Sequence, residues 1–267
     1  GLRLGYRPQM VATTTPRPVP LVRALAGGEA AITRGRTQDN DLHLPVAFLT
    51  AMTADYGGTR LGRQELDGEL ITDVEGALWT RGMIEECRVS RNVARDEREI
   101  GFARIVIGVD PPASARGDAC GIIVAGLGAD GKAYVMADCS VGRASPETWA
   151  RKVADAADRF DADRVIAEAN QGGAMVKSVL HAAKISLPVK LVHAARGKVA
   201  RAEPVAALYE NGRVHHVGAF PQLEDEMCGL LTGGGYEGPG RSPDRADALV
   251  WALTELMLGK ARVPRVR

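Results

Sequence analysis

The run Ile105-Val106-Ile107-Gly108-Val109-Asp110 constrains this chain most. It is almost entirely β-branched, and Pro111-Pro112 directly after it removes two backbone donors and stops a strand from continuing. Such a run, apolar on both faces, predicts a central strand of a covered sheet. The acid that ends it then emerges at the carboxyl edge, where open α/β sheets place their chemistry. The function of the chain turns on which groups join Asp110 there.

Downstream the pattern becomes regular. Cys120 to Leu127 reads as a second apolar strand, Ala129-Asp130-Gly131-Lys132 as a hairpin turn, and Ala133 to Asp138 as a third strand. Ser145-Pro146-Glu147 starts a helix that runs to about Phe160, with Ser as cap and Pro in the first turn. Arg164 to Glu168 is a fourth strand that again ends in an acid. Gly172-Gly173 leads into a helix to Ala183, and Val189 to Val192 is a fifth strand. Lys198 to Glu210 is helical, Arg213 to Val217 a short strand, and Gln222 to Leu231 helical. A glycine-rich stretch, Thr232 to Arg241, precedes a last helix that Ser242-Pro243 caps and that runs to about Leu258. Three meandering strands followed by strands alternating with helices is the order of the ribonuclease H-like fold, whereas a Rossmann sheet alternates from its start. The expected class is therefore α/β, a ribonuclease H-like mixed five-stranded sheet flanked by helices.

Upstream of residue 104 the signals are weaker. Met10 to Pro16 suggests a short strand, Val19 to Ala26 a short helix ended by Gly27-Gly28, and Asn40 to Met52 a second helix. Residues 71–103 are charged and read as a linker or peripheral layer. The expected organisation is an N-terminal appendage over 1–70, a linker over 71–103, a ribonuclease H-like domain over 104–260 and a basic tail over 261–267. The chain begins with Gly, so a fragment of a longer protein is expected.

Composition narrows the function classes. A net charge of +1 carries no global polyanion signature, so any nucleic-acid contact must be a local patch. The head and tail are rich in arginine: Arg3, Arg7, Arg17, Arg23, Arg34 and Arg36, then Arg262, Arg265 and Arg267. The four cysteines show no Cys-x-x-Cys spacing, which removes a zinc site or disulfide framework and suits a reducing cytoplasm. No apolar run approaches the ~20 residues of a membrane span, and no signal peptide is visible.

Asp110 and Glu168 end strands that are parallel neighbours in this fold, so both carboxylates leave one edge. The third acid comes from the last helix, where Asp244 and Asp247 stand three residues apart. Ala246, Leu249, Val250, Leu253 and Met257 form the apolar stripe of that helix. Asp247 lies about 100° from the centre of the stripe and Asp244 about 160°, so Asp247 flanks the buried face while Asp244 looks more outward. Clustered carboxylates resist ionising together, and hard oxygen donors suit Mg²⁺ or Mn²⁺. Two such ions about 4 Å apart serve phosphodiester hydrolysis. Asp138 ends the third strand near Asp110 and is a further metal candidate. Asp118, Asp130, Asp161 and Asp163 read as loop acids, and His215 and His216 as strand-end surface residues. Lys198, Arg201, Arg241 and Arg245 are candidate phosphate contacts, against the plain alternative of a solvated face. The Gly233-Gly234-Gly235 loop reads either as a gate over the site or as a surface connector.

Four stretches resemble the large subunit of tailed-phage terminases, the DNA-packaging motor. They are Gly108-Val109-Asp110-Pro111-Pro112, Ala167-Glu168-Ala169-Asn170-Gln171-Gly172-Gly173, Gly197-Lys198-Val199-Ala200-Arg201-Ala202-Glu203-Pro204 and Ser242-Pro243-Asp244-Arg245-Ala246-Asp247-Ala248-Leu249-Val250. The resemblance implies an endonuclease that cuts concatemeric double-stranded DNA, with Asp110, Glu168 and Asp247 as metal-binding acids, two Mg²⁺ or Mn²⁺ ions, and Asp244 as a helper. It also implies a portal or procapsid partner, a small terminase subunit, a ring in the full motor and a monomer as a fragment, all in the host cytoplasm. Ala12-Thr13-Thr14-Thr15-Pro16 is similar to the coupling motif late in the packaging ATPase, and Tyr56-Gly57-Gly58-Thr59-Arg60-Leu61-Gly62-Arg63-Gln64-Glu65-Leu66 to the end of that region. No Gly-x-x-x-x-Gly-Lys-[Ser/Thr] occurs, so this stretch alone is not expected to turn over ATP. The alanine- and arginine-rich composition suits a prophage or gene transfer agent of a GC-rich host. Two other classes share parts of the pattern: an actin-like or sugar-kinase nucleotide domain, which needs a repeat that is not seen, and a non-catalytic portal-docking module.

Overall fold

The computed structural model describes residues 6, 10–16, 19–57, 59–71, 73–90, 101–112, 119–170, 172–184 and 186–259. The chain divides into two compact units, Gly1–Thr72 and Asp73–Arg267. The basic tail, Asp118, Gln171, Gly58, Arg3, Arg7, Arg17 and residues 91–100 of the expected linker lie outside the described residues.

The smaller unit carries helices α1 (Pro20–Ala26), α2 (Val46–Tyr56) and α3 (Arg60–Glu65), with a 3-10 helix at Thr37–His43. Proline in the first turn opens α1, and the Gly27 N–H returns to the Arg23 carbonyl, as the glycine pair suggests. The single helix expected over Asn40–Met52 is instead two pieces. Pro45 holds Leu44 in extended backbone (φ −110°, ψ 139°) and breaks the run between them. Met10–Pro16 has no regular structure, because no described strand lies alongside to pair with it.

The larger unit is built on the sheet that the Ile105–Asp110 run predicts. Strand β2 (Phe102–Asp110) lies antiparallel to β3 (Ala119–Gly128), which pairs antiparallel with β4 (Ala133–Asp138) and with short β5 (Val141–Gly142). On its other side β2 is parallel to β6 (Arg164–Glu168), and β6 to β7 (Val189–Val192). This five-stranded core, β4-β3-β2-β6-β7, is widened beyond β4 by two parallel strands, β8 (Val214–Val217) and β1 (Arg88–Val89). Val106, Ile107 and Val109 are fully buried, as a strand covered on both faces must be.

Helices cover both faces. Helix α5 (Pro146–Arg159) and α6 (Ala174–Ala183) pack on Ile107, Val109, Ile122 and Val124. The Ser145 hydroxyl caps α5 by accepting the Thr148 N–H. Across the sheet, α7 (Lys198–Glu210), α8 (Pro221–Met227) and α9 (Asp244–Leu253) enclose Val106, Ile123 and Ala125. The chain leaves α9 through one wide π turn, Thr254–Leu258. Ser242 does not cap α9; its hydroxyl engages the Lys198 ammonium at 2.7 Å, and Pro243 directly precedes the helix. No helix among the described residues is long and apolar enough to cross a membrane.

Two glycines set the height of α9. A Cβ on Gly108 would stand 2.0 Å from the Ala248 carbonyl oxygen, and one on Gly121 would stand 1.9 Å from that of Asp244. The helix backbone thus rests directly on β2 and β3, an approach open only to residues without a side chain.

The segment read as a linker is, over 73–90, part of the larger unit. Trp79 and Ile84 of α4 (Arg81–Glu86) and its approach are fully buried, and Trp79 meets Tyr209 edge-on with ring centroids 5.9 Å apart. Isolated apolar residues in a charged stretch give no periodic signal, and their partners lie over a hundred positions away. The backbone of this segment also pins the glycine-rich stretch: Thr232 N–H donates to the Gly76 carbonyl and Leu78 N–H to that of Leu230. His216 is likewise not on the surface. It is fully buried, one ring nitrogen 3.2 Å from Glu224 Oε1 and the other 2.8 Å from the Tyr209 hydroxyl. Glu224 also receives Arg88, Arg81 and the Phe220 N–H. Burial alone would push the Glu224 carboxyl up, but the hydrogen bonds and charges of His216 and Arg88 hold it far below the usual range.

This packing has two measurable consequences. Gly121→Ala forces α9 off β3 and lowers unfolding stability by about 1–3 kcal/mol or more, read by urea denaturation. Glu224 has a lowered folded pKa, so its contribution is present above about 4.5 and is lost as pH falls below it. Glu224→Gln therefore costs about 3–5 kcal/mol at neutral pH and flattens the acid limb of a thermal-stability profile.

Candidate active site

Three elements bring acids to one place. Val109 stands opposite Ala167 in the parallel β2–β6 pair, so Asp110 and Glu168 leave the sheet at the same edge. Helix α9, seated on Gly108 and Gly121, adds Asp244 and Asp247 from its first turn. All four acids line a cleft of about 500 Å³, together with Asn170, Arg196, Lys198, Arg201 and Ser242. The helical wheel turns Asp244 outward, yet it is only 7% exposed, against 3% for Asp247. The start of α9 is enclosed by the cleft and by β3, so the side away from the apolar stripe is covered as well.

The charges within the cleft are unbalanced. Burial, and then the negative charges of Asp247, Glu168 and Asp244, push the Asp110 carboxyl well above its usual range. Burial also raises Asp247, although Lys198 and Arg201 pull it back. Those two cations come from the first turn of α7. The Lys198 ammonium lies 2.6 Å from Asp247 Oδ2. The Arg201 guanidinium donates to Glu168 Oε2 at 3.2 Å and to Asp247 Oδ1 at 3.3 Å, bridging the two acids. It also lies 4.6 Å from the Trp251 ring centroid. The Trp251 indole N–H in turn donates to Glu168 Oε2 at 2.7 Å. Within the lining, Asn170 Oδ1 accepts the Ala194 N–H at 2.9 Å and ties the loops after β6 and β7 together.

Other sequence candidates lie elsewhere. Asp138 pairs with Arg245 at 3.2 Å, and Arg245 also holds Glu226 at 2.8 Å and donates to Gln222. Neither Asp138 nor Arg245 lines the cleft; each is occupied by the other. Arg241 is exposed on the glycine-rich stretch and is also outside the lining. Sequence reasoning missed Trp251, although its place four residues after Asp247 puts the two on one helix face. Arg196, in the irregular turn before α7, carried no signal.

The donor set is all carboxylate oxygen, which suits a hard divalent cation, and the repulsion that lifts Asp110 is of the kind such a cation relieves. As the side chains stand, with Arg201 between Glu168 and Asp247, no three acidic, histidine or cysteine groups among the described residues converge on a single ion position. The residue types fit the ion, and carboxylate rotamers decide how closely they converge.

A family profile described as the terminase RNaseH-like domain matches residues 107–256, more than half of the chain. Among solved structures, the large terminase of a thermophilic bacteriophage in complex with ADP is similar at 13% identity and a TM-score of 0.52, over 84% of this chain and 55% of that one. The HK97 bacteriophage large terminase is similar at 15% identity and a TM-score of 0.47, over 79% of this chain and 51% of that one. The large terminase nuclease from thermophilic phage G20c with bound magnesium is similar at 16% identity and a TM-score of 0.45, over 57% of this chain and 81% of that one. This chain thus spans about half the length of the first two of these large terminases. No curated protein matches.

Asp110 is a costly charge in its present surroundings. Its raised folded pKa means that its contribution to stability is lost as pH rises through that value. Asp110→Asn therefore raises the melting temperature at neutral pH in EDTA, by about 2–4 °C per kcal/mol of repulsion relieved, as read by scanning calorimetry.

Proposed function

The chain belongs to the family of terminase RNaseH-like domains, and on that premise we propose that it is a divalent-metal-dependent DNA endonuclease of a viral genome-packaging motor. The observation that carries this reading is the meeting of Asp110, Glu168, Asp244 and Asp247 in one cleft with Lys198 and Arg201. Asp110, Glu168 and Asp247 would hold the cations, with Asp244 as helper. Two ions, magnesium or manganese, would supply the Lewis acidity that activates water and stabilises the leaving oxygen of a phosphodiester.

The chain's own groups do the rest. Strand ends β2 and β6 and helix α9 are rigid supports, so the carboxylates keep their relative positions. Lys198 and Arg196, on the rim, meet the phosphates of the strand. Contacts of that type carry no base information, so cleavage shows little sequence preference. The substrate is concatemeric double-stranded DNA; the partners are a portal or procapsid and a small terminase subunit, in the host cytoplasm. The donors that line the cleft are side chains suited to cations and phosphates, and this favours the nuclease over a docking module.

A plasmid-nicking assay with Mn²⁺ or Mg²⁺ tests the proposal. The wild-type chain nicks and linearises plasmid, EDTA stops it, and Asp110→Asn and Glu168→Gln fall to background while their circular dichroism and melting remain those of a folded protein. Cleavage that survives both substitutions overturns the assignment.

A further inference from the structure

Behind the lining of the cleft, against Glu168 and Arg201, stands one aromatic residue that the phosphodiester chemistry does not itself call for. Trp251 lies one turn beyond Asp247 on α9 and is 9% exposed. Its indole N–H donates to Glu168 Oε2 at 2.7 Å, a short charge-assisted hydrogen bond. Arg201 donates to the same oxygen at 3.2 Å while its guanidinium packs against the indole ring. Both described donors therefore engage Oε2, and neither engages Oε1.

We propose that Trp251 is a positioning residue: its N–H fixes Glu168 Oε2 so that Oε1 is presented to a divalent cation, and its ring supports Arg201 against the same carboxylate. The inference rests on the nuclease reading of the cleft. The chemistry is that of an outer-shell donor, which sets the orientation and basicity of a metal-ligating group without touching the metal. An indole suits the task. It has one N–H in a fixed plane, no acceptor to compete for the cation, and two torsions to lock. The α9 backbone that carries it is held against Gly108 and Gly121, so the donor cannot drift from its acceptor.

The test uses the full 267-residue chain and reads the hydrogen bond and the cation separately. The chain has three tryptophans, so a ¹H–¹⁵N spectrum shows three indole resonances, and the one missing in Trp251→Phe is that of Trp251. This resonance is expected to move in Glu168→Gln and, in the wild type, on titration with MgCl₂. Trp251→Phe retains an aromatic face for Arg201 but lacks the donor. Calorimetry is expected to show it binding Mg²⁺ about 10- to 100-fold more weakly than wild type. An indole resonance that ignores Glu168→Gln overturns the proposal, and so does unchanged Mg²⁺ affinity in Trp251→Phe. If Trp251→Phe does not fold, Trp79→Phe and Trp149→Phe assign the other two resonances, and the Glu168→Gln and Mg²⁺ shifts of the remaining one still decide the matter. A wild type that binds no Mg²⁺, with the resonance still sensitive to Glu168→Gln, overturns the metal reading of the cleft and this role with it. A wild type that binds Mg²⁺ with an indifferent indole overturns the role alone.

Discussion

The close seating of α9 on the sheet is the contact on which the cleft depends. Carbonyl oxygens of Asp244 and Ala248 occupy the space where side chains of Gly121 and Gly108 would stand. Apolar burial of Leu249, Val250 and Leu253 holds the helix down, each worth about 1.5–3 kcal/mol. Burial alone is non-directional and would tolerate a slide along the sheet. The two glycines make one position much closer than its neighbours, and that position places Asp247 and Trp251 beside Glu168. A helix raised by one methyl layer would keep most of its apolar contacts and lose the geometry of the acids.

The electrostatics of the larger unit divide in the same way. At one end of the sheet, Glu224 collects Arg88, Arg81 and His216 and lies far below the usual carboxylate range. At the cleft, Asp110 is lifted by burial and by three like charges. The first arrangement satisfies a buried charge; the second leaves one in conflict. Buried like charges persist where a site needs them and the surrounding core supports the strain. Segment 73–90 contributes to that support, since Trp79 and Ile84 enter the same core as Leu249 and Leu253.

What was legible in the sequence was whatever local physics determines. The β-branched run gave β2, the acid after Arg164-Val165-Ile166-Ala167 gave the end of β6, and Ser145-Pro146 gave the start of α5. The strand order followed from these, and with it the shared edge of Asp110 and Glu168. What was illegible depended on distant partners. His216 reads as a surface histidine until Tyr209 and Glu224 enclose it. Asp138 reads as a site acid until Arg245, more than a hundred residues away, takes it. The burial of Asp244 was hidden because a helical wheel knows the stripe but not what covers the other side.

The sequence presents the two cations of α7 as one pair, and the structure separates them. Arg201 is 11% exposed in its side chain, bridges Glu168 and Asp247, and packs against Trp251. A planar fork held by two carboxylates and an aromatic face has little freedom left. Lys198 is 45% exposed and holds one carboxylate oxygen and the Ser242 hydroxyl at the end of a flexible stem. Three residues apart on one helix face, they differ in what can compete for them. A phosphate arriving from solvent would meet the half-exposed Lys198 first, and Asp247, itself buried, would keep Arg201 on its other oxygen if Lys198 turned away. To engage Arg201 the phosphate would have to break a nearly buried bridge to two acids at once. On the proposed nuclease reading, Arg201 would therefore belong to the frame that holds the carboxylates, and Lys198 to the surface that would receive the strand.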